Sequence, residues 1–467
     1  MQLKHIAFLT LSAVSTFAMA EGFDVVVVGS GGAGLSSAIT AKESGATVVV
    51  LEKMAYIGGN SNFASGGMNA AGTKQQLAAG VTQDSPELFY KDTMKGGHNL
   101  NNPALLKTLT ENAKYAEEWL VDLGAKFCFR KGRGGGQSIA RGHGPCDGSA
   151  VGPEILRVLI ERAAKDGIAI RTENQVIKIV MKNGAVAGVE VKTEDGVKTI
   201  DARAVVLATG GFGANQAMVT KYRPELKGFS TTNHPGALGE GIKLGEDVGA
   251  SLTDIEQIQI HPTVIKRDGH LISESMRARG AIMVNQKGER FCNELLTRDV
   301  VSQHVLKQPG GYAYLIYDQS IFDSNKLSRG YYKDGYSVKA ENLDELAQKI
   351  KVPAKTLKAT FAAYKKAYDT QKDTAFGRPE MVIALDKAPY YAAQITPGIH
   401  HTMGGLTINT KAEVQSKAGK SIPGLFAAGE VTGGVHGGNR IGGNAVADIV
   451  TFGRIAGKDA AAYAKAH

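Results

Sequence analysis

The sequence predicts an α/β protein: a doubly wound, Rossmann-like domain interrupted by an inserted α+β capping domain. Three observations carry this. A β-branched run, Val25 to Val28, leads into a G-x-G-x-x-G turn and a helix. Apolar strands followed by glycine recur at residues 204–208 and again around Phe426. Between residues 256 and 401 the texture changes. The chain there is tyrosine-rich, then charged and helical, with Pro379, Pro389 and Pro397 as punctuation.

Residues 24–34 read Asp-Val-Val-Val-Val-Gly-Ser-Gly-Gly-Ala-Gly. The valines are too apolar for an exposed strand and suit a buried parallel one. Gly29, Gly31 and Gly34 then supply a tight turn, close approach to a pyrophosphate and close helix–strand packing. Residues 35–44 continue with helical character. Phosphates favour the N-terminus of such a helix, where free N–H groups and the macrodipole attract anions. A second apolar strand, residues 47–51, ends at Glu52, the spacing expected of an acid that binds a ribose hydroxyl, with Lys53 beside it. Strand, glycines, helix, strand and acid in register indicate dinucleotide binding.

Which dinucleotide follows from three further segments. Residues 58–69 are rich in glycine and small polar side chains, offering Gly59, Asn60, Ser61, Gly66 and Gly67. The strand at 204–208 runs into Thr209 and Gly210. Near the end of the chain, Pro423-Gly-Leu-Phe-Ala-Ala-Gly429-Glu430 opens a run that reaches Asn444 and Ala445, with eight glycines around one histidine and one arginine. Glycine costs conformational entropy on folding, so such a run belongs where main chain must approach a flat or anionic ligand. Four separated segments suit FAD lying extended across a domain, held non-covalently; two or three suffice for a nicotinamide dinucleotide. Arg440, the only full charge between Glu430 and Asp448, is available for a ligand anion.

At 467 residues and 43% hydrophobic content, the chain can bury a large core. The expected division is 21–255 with 402–467 as one domain and 256–401 as the insertion. Residues 1–20 have a basic start (Lys4, His5), an apolar run from Ile6 to Phe17, and Ala18-Met-Ala20 before Glu21. That is the pattern of a cleaved secretory signal peptide, and a periplasmic location is expected. No later stretch reaches about 18 uninterrupted apolar residues, so no membrane span is expected. No nucleic-acid partner is expected either. Of the cysteines Cys128, Cys146 and Cys292, at least one is a free thiol; Cys128 and Cys146 either bridge or stay as buried thiols. No spacing resembles a metal site, and no C-x-x-C-H is present for covalent c-type haem.

Five further motifs stand out: Gln259-Ile-His-Pro-Thr263, Ser273-Glu-Ser-Met-Arg277, Arg290-Phe-Cys-Asn-Glu-Leu-Leu-Thr-Arg-Asp299, Pro397-Gly-Ile-His-His-Thr-Met-Gly-Gly405 and Gly437-Gly-Asn-Arg-Ile-Gly-Gly-Asn444. With them the chain resembles the flavoprotein domain of flavocytochrome c fumarate reductase, and the wider fumarate reductase/succinate dehydrogenase flavoprotein group, without the haem domain. The resemblance covers essentially everything after residue 20.

Reducing a C=C bond conjugated to a carboxylate needs hydride at one carbon and a proton at the other. Flavin supplies the hydride. Cationic groups hold the carboxylate and stabilise the enolate-like charge that develops on it. Arg440 and His400 suit that clamp, and His261 suits a second carboxylate. Of the two adjacent histidines, His400 is expected to face the site and His401 to pack behind it. The resemblance makes Arg298 the proton donor, fed through Glu274 and Arg277, and puts Ser273 where these enzymes often carry threonine. An arginine acid is unusual, because guanidinium is normally protonated throughout the accessible pH range. Spacing alone does not single out Arg298. The plainer readings are a turn residue for His261, a surface charge for Arg277, and a helix-start ion pair for Arg298-Asp299.

The expected reaction is therefore reduction of a small unsaturated mono- or dicarboxylate, with fumarate the best single guess. Fumarate-reducing members press methionines on the substrate. Here one segment reads Gly132-Arg-Gly-Gly-Gly136 and the other position is Leu271, which predicts extra space and, at Arg133, added anion affinity. A larger enoate (methacrylate, urocanate or cinnamate type) is the alternative, followed by an FAD oxidase or dehydrogenase on the same scaffold. A non-catalytic flavin module would leave Arg298 and Glu274 without purpose. Residues 123–146 carry Lys126, Arg130, Lys131, Arg133 and Arg141 and no acid. That reads as a solvated loop, an anion funnel or a docking patch for an acidic redox partner. The missing haem motif implies a separate c-type cytochrome or quinol-linked electron donor.

Overall fold

The computed structural model describes residues 21–324 and 326–467; the expected signal peptide, residues 1–20, lies outside the described residues. The largest sheet has eight strands. Five run parallel, in the order Ser421–Ala427, Gly196–Leu207, Gly22–Val28, Val48–Leu51 and Ala169–Arg171. Val25 to Val28 are buried between two parallel neighbours, as an unbroken β-branched run demands. The class is the expected α/β one.

The first and last helices, Gly32–Glu43 and Asn444–Ala466, pack against each other. A Cβ at Gly457 would lie 2.1 Å from the Ser37 carbonyl oxygen, so glycine sets how closely they approach. This contact brings the last glycine-rich segment of the chain beside the first.

Glu413–Gln415 pairs antiparallel with Ser421–Ala427 at one edge, and Gln175–Lys182 and Ala185–Thr193 form an antiparallel meander with Gly196–Leu207. Alternating strands and helices do not describe it. Its first turn is Asn183-Gly184, with φ of 52° and 80°, the two positive values that a two-residue hairpin turn of this kind requires.

The second, five-stranded sheet is antiparallel. Ile258–Val264, Tyr390–Thr402, Ala313–Asp318 and Ile282–Val284 lie in that order, and Val338–Ala340 also pairs with Tyr390–Thr402. The charged stretch expected to be helical is two helices, Leu343–Ile350 and Ala354–Thr370, broken at Pro353. Tyr317, Tyr331, Tyr364 and Tyr391 sit in the core of this unit.

Two apolar cores divide the molecule. Ile258, Ile260 and Ile399 belong to the first, while the second begins at Ile265 and ends at Ile395. The strand pair Ile258–Val264 and Tyr390–Thr402 thus passes from one core to the other. It carries His261, His400 and His401 at the junction.

A small sheet of Met68–Asn69, Gly142–Pro145 and Phe127–Arg130 completes the fold, with Cys128 and Cys146 joined by a disulfide and Cys292 buried as a free thiol. The basic segment around it is not a uniform surface patch. Arg141 is wholly buried, bound to Asp84 at 2.9 Å and Asp92 at 2.6 Å, and Arg130 donates to the carbonyls of Gly66 and Ser149. Among the described residues, no helix is long and apolar enough to cross a membrane.

Candidate active site

Two cavities, of about 900 and 890 Å³, run together and share Asn60, Ser61, Glu430 and Ile449. Gly29, Gly31, Glu52, Lys53, Gly59, Thr209 and Gly210 line the first. Gly29 has φ 101°, and a Cβ there would lie 2.5 Å from the Ala208 carbonyl oxygen, so only glycine makes this turn. The helix Gly32–Glu43 begins with no side-chain cap at Gly31. The Gly32 N–H donates to the Ser61 hydroxyl oxygen at 3.0 Å, and this N-terminus borders the cavity, where the macrodipole favours an anion.

Glu52 is fixed at the cavity wall. It accepts from the Ser30 N–H at 3.1 Å, the Ser30 hydroxyl at 2.6 Å and the Met54 N–H at 2.9 Å. Lys53 pairs with Glu240, another wall residue. A helix N-terminus at the cavity wall, an anchored acid at a strand end and walls of glycine fit FAD. Glu52 and Gly31 would hold its adenosine and pyrophosphate, and Gly66, Gly67, Glu430 and Ala445 its ring end.

Three expected cofactor residues stand behind these walls instead. Gly34 does not line the cavity; a Cβ there would lie 1.9 Å from the Gly29 carbonyl oxygen, so it serves helix–strand packing. Gly429, with φ 77°, passes close to Ala33 while its neighbours Ala428 and Glu430 line the cavity. Asn444 does not line either cavity. Its side chain accepts from Asn69 at 2.6 Å and donates to Thr93 at 3.1 Å, fully buried and away from both cavities. Its neighbour Ala445 lines the second.

The second cavity brings together His261, Ser273, Glu274, Arg298, His400, His401 and Arg440. Arg298, the first residue of the helix Arg298–Leu306, donates from Nε to Glu274 Oε2 at 2.6 Å and from Nη1 to Gln259 Oε1 at 3.0 Å. Gln259 in turn donates to the Arg440 carbonyl at 2.7 Å and to Asn439 at 2.6 Å. Glu274 also accepts from the Gly135 N–H at 2.7 Å. Burial would raise the Glu274 pKa, but the charges of Arg298 and Arg277 overcome it and hold the carboxyl at about 2. A Cβ at Gly442 would lie 2.7 Å from Glu274 Oε2 and 2.9 Å from Arg298 Nη2, so bare backbone is needed beside the pair.

Arg277 is wholly buried behind Glu274, its Nη2 3.6 Å from Oε2 and its Nη1 bonded to the Glu294 carbonyl at 2.6 Å. It does not line the cavity, and it is no surface charge.

Arg440 is 5% exposed, and among the described residues no carboxylate lies within ion-pair distance of it. Its Nε has no partner, and Nη1 reaches only the Ile441 carbonyl at 3.4 Å. Burial, then the Arg298 charge, hold its pKa well below the ordinary value. Burial and then Arg298 likewise keep His261 and His400 neutral. His261 Nδ1 lies 3.3 Å from the Thr263 backbone nitrogen and 3.1 Å from the Thr263 hydroxyl oxygen, and Nε2 has no protein partner.

His401 does not pack out of the way. It lines the cavity beside His400, with Nδ1 3.4 Å from Glu430. The pairing runs Gln259 with His401 and Ile260 with Ile399, so His400 is an extra residue at a bulge, and adjacent histidines reach one space. Gln259, His401 and Thr232, whose hydroxyl lies 2.7 Å from His400 Nδ1, were not assigned roles from the sequence. The first two stood inside motifs, but neither carries a charge that marks it out.

Buried donors without partners are expensive, and here they converge on one space. An anion completes them. Residues 24–446 match the family of FAD-binding domains. A fumarate reductase (cytochrome) of Shewanella frigidimarina is 47% identical over 444 residues, covering 95% of this chain and 77% of the relative. The chain belongs to this family of FAD-binding fumarate reductase flavoproteins. It is 49% identical over 447 residues to an NADH:fumarate oxidoreductase of Klebsiella pneumoniae, covering 95% of this chain and 48% of that protein. A solved flavocytochrome c3 fumarate reductase in an open conformation aligns with a TM-score of 0.78 at 45% identity, covering 95% of this chain and 79% of that one. The protein is thus an FAD-dependent oxidoreductase acting on CH–CH groups.

The structure separates the two segments expected to leave extra space. Leu271 lines the substrate-sized second cavity. Gly132 does not; it borders an adjoining third cavity, and Arg133 lines neither, its N–H bonded to Glu380 at 3.1 Å. The extra space lies beyond the Arg298–Glu274 pair.

Proposed function

We propose that the protein reduces an α,β-unsaturated carboxylate, fumarate to succinate being the best single reaction. The observation that carries this is the buried, carboxylate-free guanidinium of Arg440 in the same cavity as the Arg298–Glu274 pair. Arg440 and His400 grip one carboxylate. His261, through Nε2, and the Ser273 hydroxyl take the other. Bound FAD supplies the hydride. Arg298 gives a proton to the second carbon, and Glu274, backed by Arg277, returns one to it. The fixed cations stabilise negative charge as it develops on the carboxylate, in a site whose low dielectric strengthens them.

FAD is held non-covalently in this reading. The segment 58–69 offers no histidine, cysteine or tyrosine for a flavin linkage. Export to the periplasm rests on the pattern of residues 1–20, and a separate c-type cytochrome or quinol-linked donor rests on a sequence without C-x-x-C-H. The test is oxidation of reduced methyl viologen across fumarate, methacrylate, urocanate and cinnamate. Highest kcat/KM with fumarate is expected. Turnover of none of these, with rapid O₂-dependent oxidation of an amino acid or steroid, overturns the proposal.

A further inference from the structure

A third cavity, of about 610 Å³, lies against the second; Gly66, Gly67, Glu274, Arg298 and Gly443 line both. The reaction above makes no use of it. Its charges are one-sided: Arg130, Lys131 and Arg279 line it besides Arg298, and Glu274 is its only acid. Glu274 is already taken by Arg298, Arg277 and the Gly135 N–H. The other acids nearby are also engaged, Asp147 with Lys326 and Glu380 with the Arg133 N–H.

Among the described residues, no carboxylate lies within ion-pair distance of Arg130, Lys131 or Arg279. Arg130 ends the strand Phe127–Arg130 and bonds only carbonyl oxygens, while Arg279 ends the helix Ser275–Arg279. Two separate elements thus present cations to one space. Burial, then the Arg279 charge, hold Arg130 at about 10, and burial lowers Arg279. Like charges brought to one partly buried space are costly unless an anion joins them.

We propose that this cavity is a second anion subsite, in which Arg279, Lys131 and Arg130 hold a small carboxylate on the other side of the Arg298–Glu274 pair from the clamp. The class of ligand rests on the carboxylate reading of the neighbouring site. The subsite collects substrate or product beside the reacting position, as a one-signed cleft does.

Malonate, a dicarboxylate with no C=C bond to reduce, tests this by isothermal titration into the FAD-loaded protein at low ionic strength. Two malonates per protein are expected. Lys131 is exposed and Arg279 half-buried, so a Lys131→Gln/Arg279→Gln variant should keep its fold, checked by its FAD content. That variant should weaken the lower-affinity site at least about tenfold and leave the tighter one. Arg440→Ala should do the reverse. A single malonate per wild-type protein, or a weaker site unchanged in the double variant, overturns the subsite. A tight site unchanged in Arg440→Ala overturns the clamp and leaves the subsite standing.

Discussion

Arg298 Nε lies 2.6 Å from Glu274 Oε2, with both side chains over nine-tenths buried. A guanidinium in water gives up no useful proton. Here it is buried in a cavity shared with Arg440, beside a carboxylate that also faces Arg277. A proton lost by Arg298 has an ionised acceptor group beside it through which a replacement can come.

Glu274→Gln should therefore damage stability and turnover together. It leaves Arg298 and Arg277 buried with no neutralising partner, which costs about 3–5 kcal/mol. Turnover should fall about 10²-fold or more, the scale of a lost proton-transfer partner. Urea denaturation and viologen-linked turnover check the two effects. A variant with wild-type values for both contradicts the relay.

Arg440→Met should separate the two properties. Methionine fills much of the volume and removes an unpaired buried charge, so the thermal midpoint without dicarboxylate should hold or rise. The value of kcat/KM should drop about 10²–10³-fold, as for a lost charge-stabilising donor. Differential scanning calorimetry and steady-state kinetics read the two. A large loss of stability in the unliganded variant would mean that Arg440 is structural.

Acid should destabilise the folded protein. His143 and His401 are held at about 4, chiefly by burial, and His261 and His400 are lowered further by burial and Arg298. Below about pH 6.5 the unfolded chain takes up protons on these rings and the folded one does not. Stability is then full above that pH and falls as pH drops, by up to about 1.4 kcal/mol per unit per ring. Glu117, raised to about 7 chiefly by burial, acts oppositely, as do Asp254, Asp318 and Asp459, while His234 and His270, lowered by burial, add to the histidines. The thermal midpoint should decline steadily from pH 7 to 4.5. A flat profile contradicts neutral, buried histidines.

Local chemistry was legible in the sequence, and long-range contact was not. Val25 to Val28 and Gly29 announce their strand and turn because their constraint is their own backbone and nearest neighbours. The meander at 175–193 announced itself only through Asn183-Gly184, a signal easily passed over beside stronger glycine motifs. Arg298 before Asp299 looks like any helix start. Its role depends on Glu274, 24 residues away, and on Gln259, 39 away, so only the family resemblance pointed to it. Strand alternation predicts that one of His400 and His401 turns away. The bulge at His400 defeats that rule. The Asn444 side chain turns to Asn69 and Thr93, because a glycine-rich run locates backbone without fixing where the next side chain points.

The central claim is that Arg298 delivers the proton. Stopped-flow reoxidation of the reduced flavin by fumarate, in wild type and in Arg298→Ala with matched FAD content, tests it most directly. The predicted result is a rate lowered about 10²–10⁴-fold in the variant, with flavin still bound. Reoxidation by fumarate at the wild-type rate in Arg298→Ala would contradict it.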